Sequence, residues 1–420
     1  MAAWQCHNMA KKRIVITGVG VVAPNGIGKE EFWKALQNGR SGFKGITLFD
    51  TTDLDVRVAG EVANLDAKTI LEQPISKDLS RATVLLLCAV KLALTDSNLE
   101  ITDHNSAEIG ISIGTTFGSV HYISEFDKES LQEGPRYANP SLFPNSVANA
   151  PASHIAIKFK IKGFNSTIST GMCATPDALA YACNHMALYP TKSIIVGGVE
   201  DLCIQTFLGF YKLGYLSGMR NKFWPSSSPF DKRRDGVIFS EGSAAFTIEE
   251  LNEAKKRHAD VHAEILGFGT SFDPTRRYKY SAQGIGMIES MNAALHDAHL
   301  KPRDIDCIFA NANSTKHADE IETNAIKKVF GNHAHKVPVT AIKSMVGESY
   351  SASGAYALAA AIEALKHNFI PPTINLKEKD PQCDLDYVPN VGREQKLSRV
   401  MINCFGPNGQ NSVFIIGKVL

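Results

Sequence analysis

The chain has 420 residues, with 44 Lys and Arg against 43 Asp and Glu and a formal net charge of +1. That length exceeds what one compact core usually fills, so two domains or a duplicated one is expected. The near-zero charge supplies no global field for nucleic acid or an acidic membrane, and the ordinary charged and apolar fractions exclude intrinsic disorder.

Residues 1–10 lack the basic head and apolar core of a signal peptide and read as an added or disordered leader. Arg13 to Val22 (RIVITGVGVV) is rich in β-branched residues and runs into Pro24-Asn25-Gly26, a buried strand followed by a turn. Glu30 to Gln37 has helical spacing, with Phe32, Trp33 and Leu36 apolar and Gly39 as a stop. Leu79 to Leu94 is a mostly apolar helix, and its longest apolar run, Val84 to Val90, is too short to cross a bilayer. Ile109 to Ile113 and Ser193 to Val196 are strands, the second running into Gly197-Gly198. Strands alternating with helices indicate an α/β architecture with helices layered on sheets.

The second half echoes the first. Ile265-Leu266-Gly267-Phe268-Gly269 matches Ile16-Thr17-Gly18-Val19-Gly20, and Ala294 to Leu300 (ALHDAHL) matches Ala93 to Leu99 (ALTDSNL). Each copy of the latter leads through a polar stretch into a strand, Ile109 to Ile113 or Cys307 to Ala310. Two matches in the same order indicate an internal duplication. The expected halves are 11–255 and 256–420, joined near the charged helical stretch Glu249 to Arg257. Gly18-Val19-Gly20-Val21-Val22-Ala23 also fits a loose dinucleotide fingerprint. However, Pro24-Asn25-Gly26 stands where the phosphate-binding helix should continue, which favours a tight strand exit. The eight Cys are scattered with no CxxC pair, so neither a metal site nor a disulfide framework is expected, and a reducing cytoplasm fits.

Seven segments together resemble the β-ketoacyl-acyl-carrier-protein synthase (ketosynthase) family. They are Arg13 to Gly26, Ile168 to Thr175 (ISTGMCAT), Val196 to Asp201 (VGGVED), Pro229 to Ala244 (PFDKRRDGVIFSEGSA), Lys343 to Gly347 (KSMVG), Ile370 to Leu376 (IPPTINL) and Asn403 to Gly409 (NCFGPNG). They keep the family's order from Lys11 to Lys418. The resemblance implies a duplicated thiolase-like fold in α-β-α-β-α layers, usually dimeric. It also implies condensation of acyl units that arrive on the phosphopantetheine of an acyl carrier protein, with no other cofactor. A Cys at the start of a buried helix takes the acyl group, because the positive helix end favours its thiolate. Two His stabilise the charge that develops as the malonyl unit loses carbon dioxide.

Here all three positions hold other residues. Aligned without a gap on Asp177-Ala178 and Tyr181-Ala182, the nucleophile position is Met172, whose thioether cannot carry an acyl group. Cys173 is one residue on, about 100° of rotation if helical, and becomes the nucleophile only with an insertion offset by a deletion before Gly197. The first His position, in Asn311-Ala312-Asn313-Ser314-Thr315, holds Asn313, with His317 nearby as an ordinary loop residue. The second, after Lys343-Ser344-Met345-Val346-Gly347, holds Glu348, which would repel a malonyl carboxylate and could form a surface-like pair with Lys343. The family's gating Phe is replaced by Pro407, which stiffens that loop.

Within the family such a chain resembles the chain-length factor of type II polyketide synthases. That role implies a heterodimer with a catalytic ketosynthase, with this subunit shaping the tunnel for a carrier-protein-bound polyketide. The subfamily's gating positions correspond to Ser119, Tyr122 and Phe126, which share one helical face. The same face could instead be ordinary packing in a homodimer. The alternative function is an active synthase using Cys173. A decarboxylase-only subunit would keep both His, and neither is present. Exposed basic residues at Lys232, Arg233 and Arg234 invite a carrier-protein contact, but they belong to a motif that fold reasons alone would keep.

Overall fold

The computed structural model describes residues 12–219, 225–274 and 280–419, so the expected leader lies outside the described residues. Ten strands carry the main sheet: β1 (Ile14–Ala23), β2 (Ile109–Gly114), β3 (Asn165–Ile168), β4 (Ser193–Glu200), β5 (Gly242–Glu250), β6 (Ala263–Phe272), β7 (Cys307–Phe309), β8 (Val339–Thr340), β9 (Arg399–Phe405) and β10 (Gln410–Gly417). A short strand, Gly26–Ile27, folds back on the end of β1. The helices used below are α1 (Arg81–Ser97), α2 (Val120–Gln132), α3 (Ala174–Leu188), α4 (Ile204–Lys212), α5 (Ile285–Asp297), α6 (Lys316–Phe330) and α7 (Ser351–His367).

Across the sheet the order is β8-β7-β9-β10-β6-β1-β5-β4-β2-β3. Each half therefore reads third, second, fourth, fifth, first. The pairing senses repeat as well. The first and fifth strands are antiparallel, as are the fourth and fifth, whereas the second runs parallel to the third and fourth. Three antiparallel pairs, from Ile14↔Ile265 to Ile16↔Ala263, join the halves at β1 and β6.

The repeat extends to packing. Gly18 and Gly20 lie inside β1, not at its exit, and α1 crosses them so closely that a Cβ on Gly20 would sit 2.0 Å from the Ala89 carbonyl oxygen. Gly269 in β6 would meet Ser290 of α5 at the same 2.0 Å. The backbone N–H between each glycine pair is capped by the aspartate of the covering helix: Val19 donates to Asp96 at 2.9 Å, and Phe268 to Asp297 at 3.0 Å. The glycines thus serve helix–strand approach, and no phosphate-binding turn exists there.

Helices α1 and α5 cover the outer faces, while α3 and α7 pack between the two halves. Every residue from Ser351 to Leu365 of α7 is buried, as its all-round Ala, Leu and Ile content requires. This gives the expected α-β-α-β-α layering. Local ends differ slightly from expectation. Helix α1 starts at Arg81 because Ser80 caps it, its side chain accepting from the Thr83 N–H. Strand β4 continues through Gly197-Gly198 to Glu200, because the bare Gly198 admits Thr175 and Ser351 against the sheet. The charged stretch at the join is a strand end followed by a short helix, Leu251–Lys256. Among the described residues no helix is long and apolar enough to cross a membrane.

Candidate functional site

Strand β3 ends at Ile168, and one 3-10 turn, Gly171–Cys173, leads into α3. Met172 in that turn is buried and lines a cavity of about 380 Å³ together with Phe117, Val120, Phe210, Leu213, Tyr350 and Pro407. Cys173 points elsewhere. Its sulfur is fully buried and donates to the Cys404 carbonyl at 3.1 Å. Burial pushes this thiol well above its ordinary pKa, and the Cys404 sulfur and Asp177 add to the shift while Lys343 opposes it. Asp177, in the first turn of α3, accepts from Thr170 at 2.5 Å and Ser412 at 2.8 Å, which ties the turn to β10. The head of α3 therefore presents a thioether to the cavity and keeps a protonated thiol in the core.

The other two positions come together although 35 residues separate them. The loop after β7 carries Asn313, whose amide nitrogen donates to Glu348 Oε2 at 3.3 Å. Lys343 Nζ lies 2.9 Å from the same oxygen and donates to Asn311 Oδ1 at 3.0 Å. Glu348 Oε1 accepts from the Tyr350 N–H at 3.1 Å and from Ser353 at 2.8 Å. The Lys343 and Glu348 side chains are only 7% and 1% exposed, so this is a buried, hydrogen-bonded pair and not the surface-like one expected. Thr315 donates to the Asn313 side-chain oxygen Oδ1 through both its N–H and its hydroxyl. The set is mutually satisfied and centres on a carboxylate, an acceptor where a developing negative charge needs donors.

Two buried carboxylates of α6 hold the Asn313 loop. Asp319 accepts from the N–H groups of Asn313 and Phe230, and Glu322 from those of Asn311 and Ala312 and from the Asn403 amide. Burial raises them to about 6 and about 7 respectively. His317 is not a loop residue but stands exposed in the first turn of α6. It borders a separate cleft of about 640 Å³, also lined by Tyr215, Lys232, Arg233, Tyr280 and Thr315. Of the three basic residues expected to be exposed, Lys232 and Arg233 are, and both pair with Glu378. Arg234 is buried between Asp380 at 2.6 Å and Asp319 at 3.4 Å.

The three gating candidates do not line the Met172 cavity. Ser119 is the buried residue just before α2, and its hydroxyl has no hydrogen-bond partner among the described residues. Tyr122 donates to the Asp78 carbonyl at 3.2 Å, and Phe126 packs on Phe143 with ring centroids 5.9 Å apart. The cavity wall comes instead from Thr116, Phe117 and Val120, with Phe117 5.1 Å from the Tyr350 ring and 6.0 Å from Phe210. No motif marks Phe117, Phe210 or Tyr350, so only the fold shows that they meet. Pro407 lies in the hairpin between β9 and β10 and contributes to the same wall. Among the described residues no group of three or more His, Cys, Asp or Glu is arranged to hold a metal ion.

Known proteins resemble this chain over nearly its whole length. The 3-oxoacyl-[acyl-carrier-protein] synthase 2 of Coxiella burnetii is 36% identical, covering 98% of this chain and 100% of its own. The tetracenomycin polyketide synthase ketoacyl synthase alpha subunit of Streptomyces glaucescens is 35% identical, covering 97% and 98%. Among solved structures, one titled the ishigamide ketosynthase/chain length factor superposes with a TM-score of 0.90 at 32% identity, over 98% of this chain and 100% of the other. A type II polyketide synthase acyl-carrier protein in complex with its ketosynthase bound to the hexaketide gives 0.89 at 29%, over 97% and 100%. The models of the Beta-ketoacyl synthase N-terminal and C-terminal domains match residues 11–254 and 262–377, and this chain therefore belongs to the β-ketoacyl synthase family.

Proposed function

We propose that this chain is a non-catalytic, chain-length-factor subunit that pairs with an active ketosynthase in type II polyketide biosynthesis. The observation that carries the reading is the buried Lys343–Glu348–Asn313 set; in the gapless alignment Asn313 and Glu348 fall at the two His positions and Met172 at the acylation position. A thioether has no proton to lose and forms no thioester. A carboxylate beside a malonyl carboxylate raises the cost of binding it. In this reading acyl groups stay on the phosphopantetheine of a carrier protein and react on the partner subunit. Two exposed features support a partner. The outer edge of β3 has no strand beside it among the described residues, and Leu131, Phe143 and Tyr181 are exposed.

Co-expression with a ketosynthase encoded beside it tests the reading. The expected result is a one-to-one complex that makes product through the partner's Cys-His-His set. A soluble homodimer that ignores that ketosynthase would refute it. The identity to active synthases favours a second reading, decarboxylative condensation by this chain through Cys173. Iodoacetamide separates the two, since an activated thiolate reacts fast and a buried thiol does not.

A further inference from the structure

One buried carboxylate outside the degenerate triad joins its parts. Glu200, the last residue of β4, is fully buried and accepts four hydrogen bonds. The N–H groups of Thr116 and Phe117 donate at 3.0 Å each, the Thr115 hydroxyl at 3.4 Å and the Ser351 hydroxyl, whose proton is shared with the Val199 carbonyl, at 2.7 Å. The first three belong to the turn that launches α2. The fourth begins α7, three residues after Glu348. The turn is fixed from other sides too. Thr115 accepts from the Gly118 N–H at 3.2 Å, and Thr116 donates to the carbonyl of Gly171, beside Met172, at 3.1 Å. Gly118 has φ +59°, and a Cβ there would sit 2.8 Å from Ala148, so the turn has little room for another course.

From this geometry we infer that Glu200 is a positioning residue for α2: it fixes residues 115–118, thereby sets where Tyr122 and Phe126 stand, and determines product length without touching the product. The length consequence rests on the function proposed above. A carboxylate suits the task because it only accepts, and four donors converge on it. A glutamine at 200 turns an NH2 group toward two of those donors and leaves buried N–H or O–H groups unpaired.

The test is Glu200→Gln in the full chain co-expressed with its ketosynthase and carrier protein. Glu249→Gln serves as a control, since Glu249 is also buried but accepts from Thr17 and Arg257, away from α2. Glu200→Gln is expected to speed amide hydrogen exchange at Thr116 and Phe117 and to shift the product from one length to a mixture. Glu249→Gln is expected to lower thermal stability and leave product length unchanged. Ser351→Ala, which removes one of the four donors, should give a smaller shift of the same kind, and it decides the matter if Glu200→Gln fails to fold. Wild-type product length from an assembled Glu200→Gln complex, or an equal shift in the control, overturns the inference. A wild-type chain that pairs with no ketosynthase overturns the proposed function and the length consequence together. Exchange at Thr116 and Phe117 in the free chain then still decides the anchoring.

Discussion

The thiol of Cys173 donates to the carbonyl of Cys404 across 3.1 Å, deep between the two halves. Both sulfurs are buried, and Cys404 is itself pushed up to about 12, mainly by burial. At neutral pH Cys173 should resist iodoacetamide in the folded chain and react only on unfolding, read by peptide mass spectrometry. Cys173→Ala should leave product formation by the complex intact. Rapid labelling of the folded protein, or loss of condensation with normal assembly, would mark an active nucleophile.

Lys343→Met leaves the Glu348 carboxylate buried without its cation and should cost about 3–5 kcal/mol of stability. Glu348→Gln combined with Lys343→Met removes both charges and should cost clearly less, as measured by denaturant titration of the single and double variants. A double variant no more stable than the Lys343→Met single would contradict a coupled pair.

Phe126→Ala should lengthen the product of the assembled complex, by removing the ring that now packs on Phe143. Mass spectrometry of the polyketides reads the outcome. An unchanged product profile discards Phe126 as a gate and points to the Phe117–Tyr350 wall in its place.

Asp201 is raised to about 7 by burial, then by Glu200 and Glu241, with Arg81 opposing. The folded chain therefore holds this proton more tightly than the unfolded one. Its contribution is most favourable below about pH 4 and is lost as pH rises through 7, a difference on the order of 4 kcal/mol. Asp201→Asn should raise the melting temperature at pH 8 more than at pH 5. An equal shift at both would show that the carboxyl ionises freely in the fold.

Gly20→Ala drives a methyl group into the Ala89 carbonyl and should cost at least about 1–3 kcal/mol, with Gly269→Ala behaving alike against Ser290. Soluble yield and thermal melting check this. A tolerated Gly20→Ala would mean that α1 can retreat from β1.

The duplication was readable because close helix–strand packing writes itself locally: a bare Gly-x-Gly in the strand and an aspartate on the covering helix recur at both Asp96 and Asp297. The meeting of Asn313 with Glu348 was legible only through motifs, since nothing in the spacing of two distant loops reports a 3.3 Å contact. That the Lys343–Glu348 pair is buried escaped sequence reasoning because charge pairs read as surface by default. The wall of Phe117, Phe210 and Tyr350 escaped it for another reason: ordinary aromatics from three separate segments carry no pattern until the chain folds.

Strand β10 is the last described strand, yet it sits between β9 and β6 in the interior of the sheet. Vectorial synthesis therefore leaves the C-terminal half without this interior rung until residues 410–417 have been made. Until then two neighbouring strands expose unpaired backbone to any passing chain. Even a short deletion that removes Gln410–Gly417 should act as a gutting lesion, yielding aggregate in place of a trimmed but folded protein.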